Sequence, residues 1–142
     1  MADVLIDANV FLRASQTHSP QYAAAVRSLE ALLDGTDTPI IVPQVCYEFW
    51  VVATRPVGIN GLGLSIDDAG YLFDRMRKSY ELRRDTPEVY DRWLDLVLTH
   101  NVRGKPAHDA RLVAAAQVHG VRRLLTFNVR DFARYDLKVE SP

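Results

Sequence analysis

The stretch VLIDANVFL, residues 4–12, opens with branched apolar residues that fit a buried strand, then interrupts itself with Asp7 and Asn9. An Asp at the end of a core strand has an ordinary explanation, because Asp and Asn cap the helix that follows by accepting an orphan backbone N–H. Whether Asp7 does more depends on which other acids the fold brings to the same edge.

Beyond this stretch, strand and helix signals alternate, the pattern of an α/β layer structure with a mainly parallel central sheet of four or five strands flanked by helices. Ser19-Pro20 reads as a helix start, with Tyr22, Val26, Leu29, Leu32 and Leu33 on one face until Gly35. "IIV" at 40–42 is a short strand, and Pro43 opens a helix that Arg55-Pro56 stops. "VGINGLGLS" at 57–65 lacks the phosphate-cradling G-x-x-x-x-G-K-[ST] pattern and reads as a flexible loop that could flank a substrate groove. Ser65 starts a helix to about Ser79, "ELRR" at 81–84 suits a third strand, and Thr86-Pro87 begins a helix with Val89, Trp93, Leu96 and Val97 inward, broken by Gly104. A small-residue helix closed by Gly120 follows, then a fourth strand at 121–127 and a short fifth at 137–140. With no repeat, low-complexity tract or linker, the 142 residues are expected to form a single domain, 1–142.

Composition narrows the class. Cys46 is the lone cysteine, which excludes an internal disulfide or a Cys-rich zinc site and suits a reducing cytosol. No apolar run approaches the roughly 18–20 residues of a membrane-spanning helix, so a soluble, cytoplasmic protein without membrane contact is expected. Net charge is −1, which argues against indiscriminate nucleic-acid binding. Residues 1–70 carry 3 Lys/Arg against 8 Asp/Glu, however, and residues 71–142 carry 14 against 10, so the fold can set an acidic site beside a basic surface.

The acids are the informative residues. In a parallel sheet, ligands collect beyond the carboxyl ends of the strands. Asp7 ends the first strand, Asn128 and Asp131 follow the fourth, and Asp109 lies near the start of the helix leading into it. If strands one and four are neighbours, these groups converge. Glu48 sits in a helix that is apolar nearly all round, and a Glu is almost never fully buried without a partner. Two bare charges about 4 Å apart repel by roughly 4 kcal/mol at an effective dielectric near 20, so a cluster of carboxylates must protonate or take up a cation. Oxygen-only donors select Mg²⁺ or Mn²⁺, and such ions suit phosphodiester hydrolysis. Phe49 and Trp50 read as core, and the four histidines as caps and surface residues.

Together these segments resemble the PIN-domain ribonucleases, in particular the VapC toxins of toxin–antitoxin pairs. The resemblance spans essentially the whole chain through LIDANVFL, VPQVCYEFWVVATR, PAHDARLVAAAQVHG and LLTFNVRDFARY. It implies a PIN-like fold and an endoribonuclease dependent on Mg²⁺ or Mn²⁺, with Asp7, Glu48 and Asp109 as catalytic metal ligands and Asp7 central. Asn9, Thr126 and Asp131 would support them. The family often places a fourth acid where this chain has Asn128, which offers a carbonyl oxygen without charge, so one firmly held ion is expected before RNA arrives. The implied reaction is hydrolysis of single-stranded or loop RNA to 5′-phosphate and 3′-hydroxyl ends. Arg13, Arg103, Lys105, Arg111 and Arg130 are the candidate phosphate contacts. The resemblance further implies a small cognate antitoxin and a homodimer; Tyr71, Phe73 and Met76, on a helix too apolar for one buried stripe, are weighed as contacts but read as plain core.

Two other readings stand beside this one. A phosphatase of the haloacid-dehalogenase type needs a second carboxylate two residues after the first, where this chain has Asn9. A non-catalytic PIN-fold module that binds RNA or a protein is the stronger rival, kept open by Asn128.

Overall fold

The computed structural model describes residues 1–142. In chain order the elements are β1 (Asp3–Ile6), α1 (Ala8–Ala14), α2 (Tyr22–Asp34), β2 (Thr38–Ile41), α3 (Pro43–Thr54), α4 (Ile66–Ser79), β3 (Glu81–Leu82), α5 (Pro87–Thr99), α6 (Ala107–Val118), β4 (Arg123–Leu125) and β5 (Lys138–Glu140), with short 3₁₀ turns at Val57–Ile59 and Val129–Phe132. The sheet has the order β3-β2-β1-β4-β5, and every pairing is parallel. Each strand's carboxyl end therefore lies on the same rim.

β1 is the central strand, and its Val4, Leu5 and Ile6 are fully enclosed together with Ile40, Ile41 and Leu124. Helices cover the sheet because a parallel sheet is apolar on both faces. α6 buries Ala110, Leu112, Val113, Ala114, Ala115 and Ala116, the small residues allowing a close approach to its neighbours. α5 packs along it, and Trp93 Nε1 donates to the Ala107 carbonyl at 2.8 Å. No helix is long and apolar enough to cross a membrane.

Several boundaries differ from the sequence reading. The helix expected from Ser19 begins at Tyr22: Ser19 Oγ accepts from Gln21 N at 3.2 Å and its carbonyl accepts from Tyr22 N, so a local turn satisfies the groups a helix start would have used. Within α2, Ala25 and Leu29 are buried, whereas Leu33 is 46% exposed. Val42 is extended but unpaired and caps α3 instead of ending β2. β3 is only two residues long, and α5 ends at Thr99, with Asn101 in a left-handed conformation (φ 51°), ahead of Gly104. The helices from Pro43 and from Ser65 run as expected, and Ser65 Oγ caps α4 by accepting from Asp68 N at 3.1 Å. Of the residues considered for contacts, Tyr71 is 63% exposed, Phe73 packs edge-on against Trp50 with centroids 5.8 Å apart, and Met76 is core. Phe49 is core as well.

Candidate metal centre

β1 and β4 are neighbours, with Ile6 opposite Leu125, and the next residue of each strand, Asp7 and Thr126, stands at the shared rim. Asp7 N donates to the Leu125 carbonyl at 3.0 Å, which holds the two strand ends together beyond the last strand pairing. The Asp7 side chain does cap α1, its Oδ1 accepting from Ala8 N at 2.7 Å. Its Oδ2 accepts from Thr126 Oγ1 at 2.8 Å and from Asn9 Nδ2 at 3.3 Å. Asn9 completes the network: Nδ2 also donates to Thr126 Oγ1 at 3.0 Å, and Oδ1 accepts from Phe127 N at 3.2 Å. Thr126 Oγ1 in turn accepts from Asn128 N at 3.0 Å. A carboxylate offers about four acceptor positions, so Asp7 keeps one on Oδ1 after making these three bonds.

Asp7 is 6% exposed, and burial is the largest influence on it. Its pKa is pushed up to about 6, with the charges of Glu48 and Asp109 adding to the rise and the Thr126 and Ala8 hydrogen bonds opposing it. Asp109, half-buried in the first turn of α6, is raised too, by burial first and then by the charges of Asp131 and Glu48, while His108 and Lys105 pull the other way. The four acids thus share one electrostatic neighbourhood. No three acidic or histidine side chains stand close enough to hold an ion as they are placed, an arrangement in keeping with the repulsion between like charges at short range.

The donor chemistry of this neighbourhood fits a hard divalent cation. Every candidate donor is oxygen, the neighbouring acids raise Asp7 and Asp109, and no Lys or Arg forms an ion pair with Asp7, Glu48, Asp109 or Asp131. Glu48 is half-buried and its Oε1 accepts from Gln44 Nε2 at 2.8 Å. Asn128 and Asp131 are both exposed beside the rim.

The basic candidates divide. Arg111 is committed within the fold, donating to Asp85 Oδ2 at 2.7 Å and to Gln44 Oε1 at 3.1 Å, and Arg13 donates to Gln21 and Gln16. Arg103, Lys105 and Arg130 are exposed and make no ion pair. The loop at 57–65 flanks a groove of about 860 Å³, lined among others by Arg13, His18, Val57, Leu62 and Leu72, but none of the four acids lines it. His100 and His119 are the C-terminal caps of α5 and α6. Sequence reasoning passed over Gln44, whose signal was its position: the polar residue one turn before Glu48 in a helix otherwise built for the core.

Three solved structures show how widely the fold is shared. VapBC2 from Rickettsia felis bound to a promoter DNA fragment superposes with a TM-score of 0.71 at 16% identity, covering 99% of this chain and 98% of that one. Mycobacterium tuberculosis VapC20, described as a sarcin-ricin loop cleaving toxin, gives 0.71 at 14% identity, covering 96% and 98%. DNA-bound VapBC from Salmonella typhimurium gives 0.69 at 14% identity, covering 99% and 98%. At these identities the likeness is one of fold. No curated protein matches the sequence. The family model for the PIN domain matches residues 4–138, nearly the whole of the five-stranded sheet and its helices, and the chain belongs to the PIN-domain family.

Proposed function

We propose that the protein is an Mg²⁺- or Mn²⁺-dependent endoribonuclease and the toxin of a toxin–antitoxin pair. The observation that carries this reading is Asp7: a carboxyl buried at the carboxyl end of the central strand, pushed up to about 6, and sensing the charges of Glu48 and Asp109 from two other segments. Burying an acid among other acids destabilises a fold unless a cation or a proton compensates, and the PIN-family match supports a cation.

Asp7, Glu48 and Asp109 would hold the ion, with the Asn128 carbonyl oxygen available to it. A bound divalent cation supplies charge neutralisation at the phosphoryl oxygens and acidifies water. The protein's own residues do the rest. Thr126 and Asn9 hold the Asp7 carboxylate in one orientation, Asp7 and Asp109 orient the attacking water, and the exposed Arg103, Lys105 and Arg130 contact backbone phosphates. Attack on phosphorus breaks the bond to the 3′ oxygen, which takes a proton, leaving 5′-phosphate and 3′-hydroxyl ends. The toxin assignment and the cognate antitoxin draw support from the relatives of the same fold, several of which are VapBC complexes; the homodimer rests on the sequence resemblance alone.

The test is incubation of the purified protein with mixed RNA and Mg²⁺ or Mn²⁺. Cleavage is expected, abolished by EDTA and by Asp7→Asn. A module that binds RNA or protein without cutting is the second reading, favoured by the uncharged Asn128; RNA retention with no cleavage across a transcriptome-wide substrate set would establish it instead.

A further inference from the structure

Gln44 is 6% exposed, in a helix whose other enclosed residues are Val45, Cys46, Phe49 and Ala53. Its Nε2 donates to Glu48 Oε1 at 2.8 Å and to the His108 backbone carbonyl at 2.7 Å, and its Oε1 accepts from Arg111 Nη1 at 3.1 Å. The chemistry of the partners fixes the amide's orientation: turned over, it would set its oxygen against two acceptors and its NH₂ against a guanidinium. Arg111 is held in turn by Asp85, 2.7 Å from Nη2, in the segment between β3 and α5.

The location of this amide matters more than its burial. α3 packs mainly on α1 and α4, and α6 on α5. Every hydrogen bond that joins α3 to α6 passes through Gln44. α3 carries Glu48, and the peptide that Gln44 grips on α6 adjoins Asp109. A size-matched apolar side chain would fill the same space among apolar neighbours, but it would leave the two acid-bearing helices without a polar tie. With Oε1 of Glu48 turned to Gln44, Oε2, which accepts no hydrogen bond, is the oxygen left for a ligand.

We infer that Gln44, anchored by Arg111, is a positioning residue that sets Glu48 relative to Asp109 and thereby sets the affinity for the divalent ion; the inference rests on the metal-dependent function proposed above. Calorimetric titration of the RNA-free protein with Mn²⁺ tests it, comparing wild type, Gln44→Met and Arg111→Met, with the Mg²⁺ concentration for half-maximal RNA cleavage as a second readout. Gln44→Met is expected to raise the Mn²⁺ dissociation constant about 10- to 100-fold, the range for residues that orient metal ligands, with the cleavage midpoint moving in parallel and kcat at saturating metal recovering. Arg111→Met, which leaves Gln44 bonded to Glu48, is expected to show a smaller rise of the same sign. Arg111 lies partly open to solvent, so this variant decides the matter if Gln44→Met does not fold. Wild-type binding of Mn²⁺ with unchanged affinity in the folded variants overturns the positioning role alone. Failure of the wild type to bind Mn²⁺ overturns the metal-dependent reading, and the positioning role with it.

Discussion

Asp7→Asn should change how stability depends on pH, not only whether the protein cuts RNA. Raising this carboxyl from 3.8 to about 6 amounts to about 3 kcal/mol against its ionised form. Between these values the folded state binds more proton than the unfolded chain. Stability is therefore fully present below pH 3.8, falls as pH rises through about 6, and stays low above it. Asn cannot ionise and escapes that loss. It has its own cost: with its oxygen kept toward Thr126 and Asn9, its NH₂ meets the Ala8 N–H that Asp7 now accepts from, a donor-to-donor conflict of about 1–3 kcal/mol. The variant should thus be the less stable protein at pH 3 and should gain about 3 kcal/mol relative to wild type by pH 7.5. Urea unfolding in EDTA across that range measures the difference; with a slope of about 1–3 kcal/mol/M the relative midpoint moves by 1 M or more. Parallel stability profiles for the two proteins would refute the idea that a buried, like-charged carboxylate sits at this position. Adding Mg²⁺ at neutral pH should stabilise the wild type, by about 2.7 kcal/mol at a hundred times its dissociation constant, and leave the variant unmoved.

Other substitutions probe the same account. Thr126→Val removes a hydroxyl that donates to Asp7 and accepts from Asn128 N; it should cost about 1–3 kcal/mol in urea unfolding and move the acid limb of the cleavage–pH profile upward, because the hydrogen bond that lowers Asp7 is gone. Gly61→Ala would drive a Cβ into the Arg55 carbonyl, so the loop must shift, and a loss of about 3 kcal/mol or a failure to fold is expected in thermal melts. Ser65→Ala deletes the cap on α4 and should cost about 1 kcal/mol, with cleavage unchanged.

The residues that carried the sequence reading were those whose types conflicted with their surroundings. Asp7 at the end of an apolar run and Glu48 in an apolar helix were conspicuous because burial normally excludes them. The alternation of elements then placed strand ends on one rim, and β1 beside β4 brought Asp7 to Thr126. Boundaries were harder wherever local hydrogen bonding competed with a helix or strand. The Ser19 turn delayed α2, Val42 was extended without a partner, and α1, only seven residues long, is stitched directly to β1 by the Asp7 cap. Gln44 showed only its position one turn before Glu48; its role was hidden because two of its three partners, His108 and Arg111, become neighbours only when α6 docks. The split of the basic candidates, with Arg111 committed to Asp85 and Gln44 while Lys105 stays free, likewise depends on contacts distant along the chain.

Diffraction from crystals soaked in Mn²⁺ addresses the central claim most directly, because the ion's anomalous signal marks its position independently of any activity. A single peak bounded by oxygens of Asp7, Glu48 and Asp109, lost in crystals of Asp7→Asn, is the result expected. A peak elsewhere on the protein, or none at saturating Mn²⁺, would contradict the assignment of these three acids to one ion.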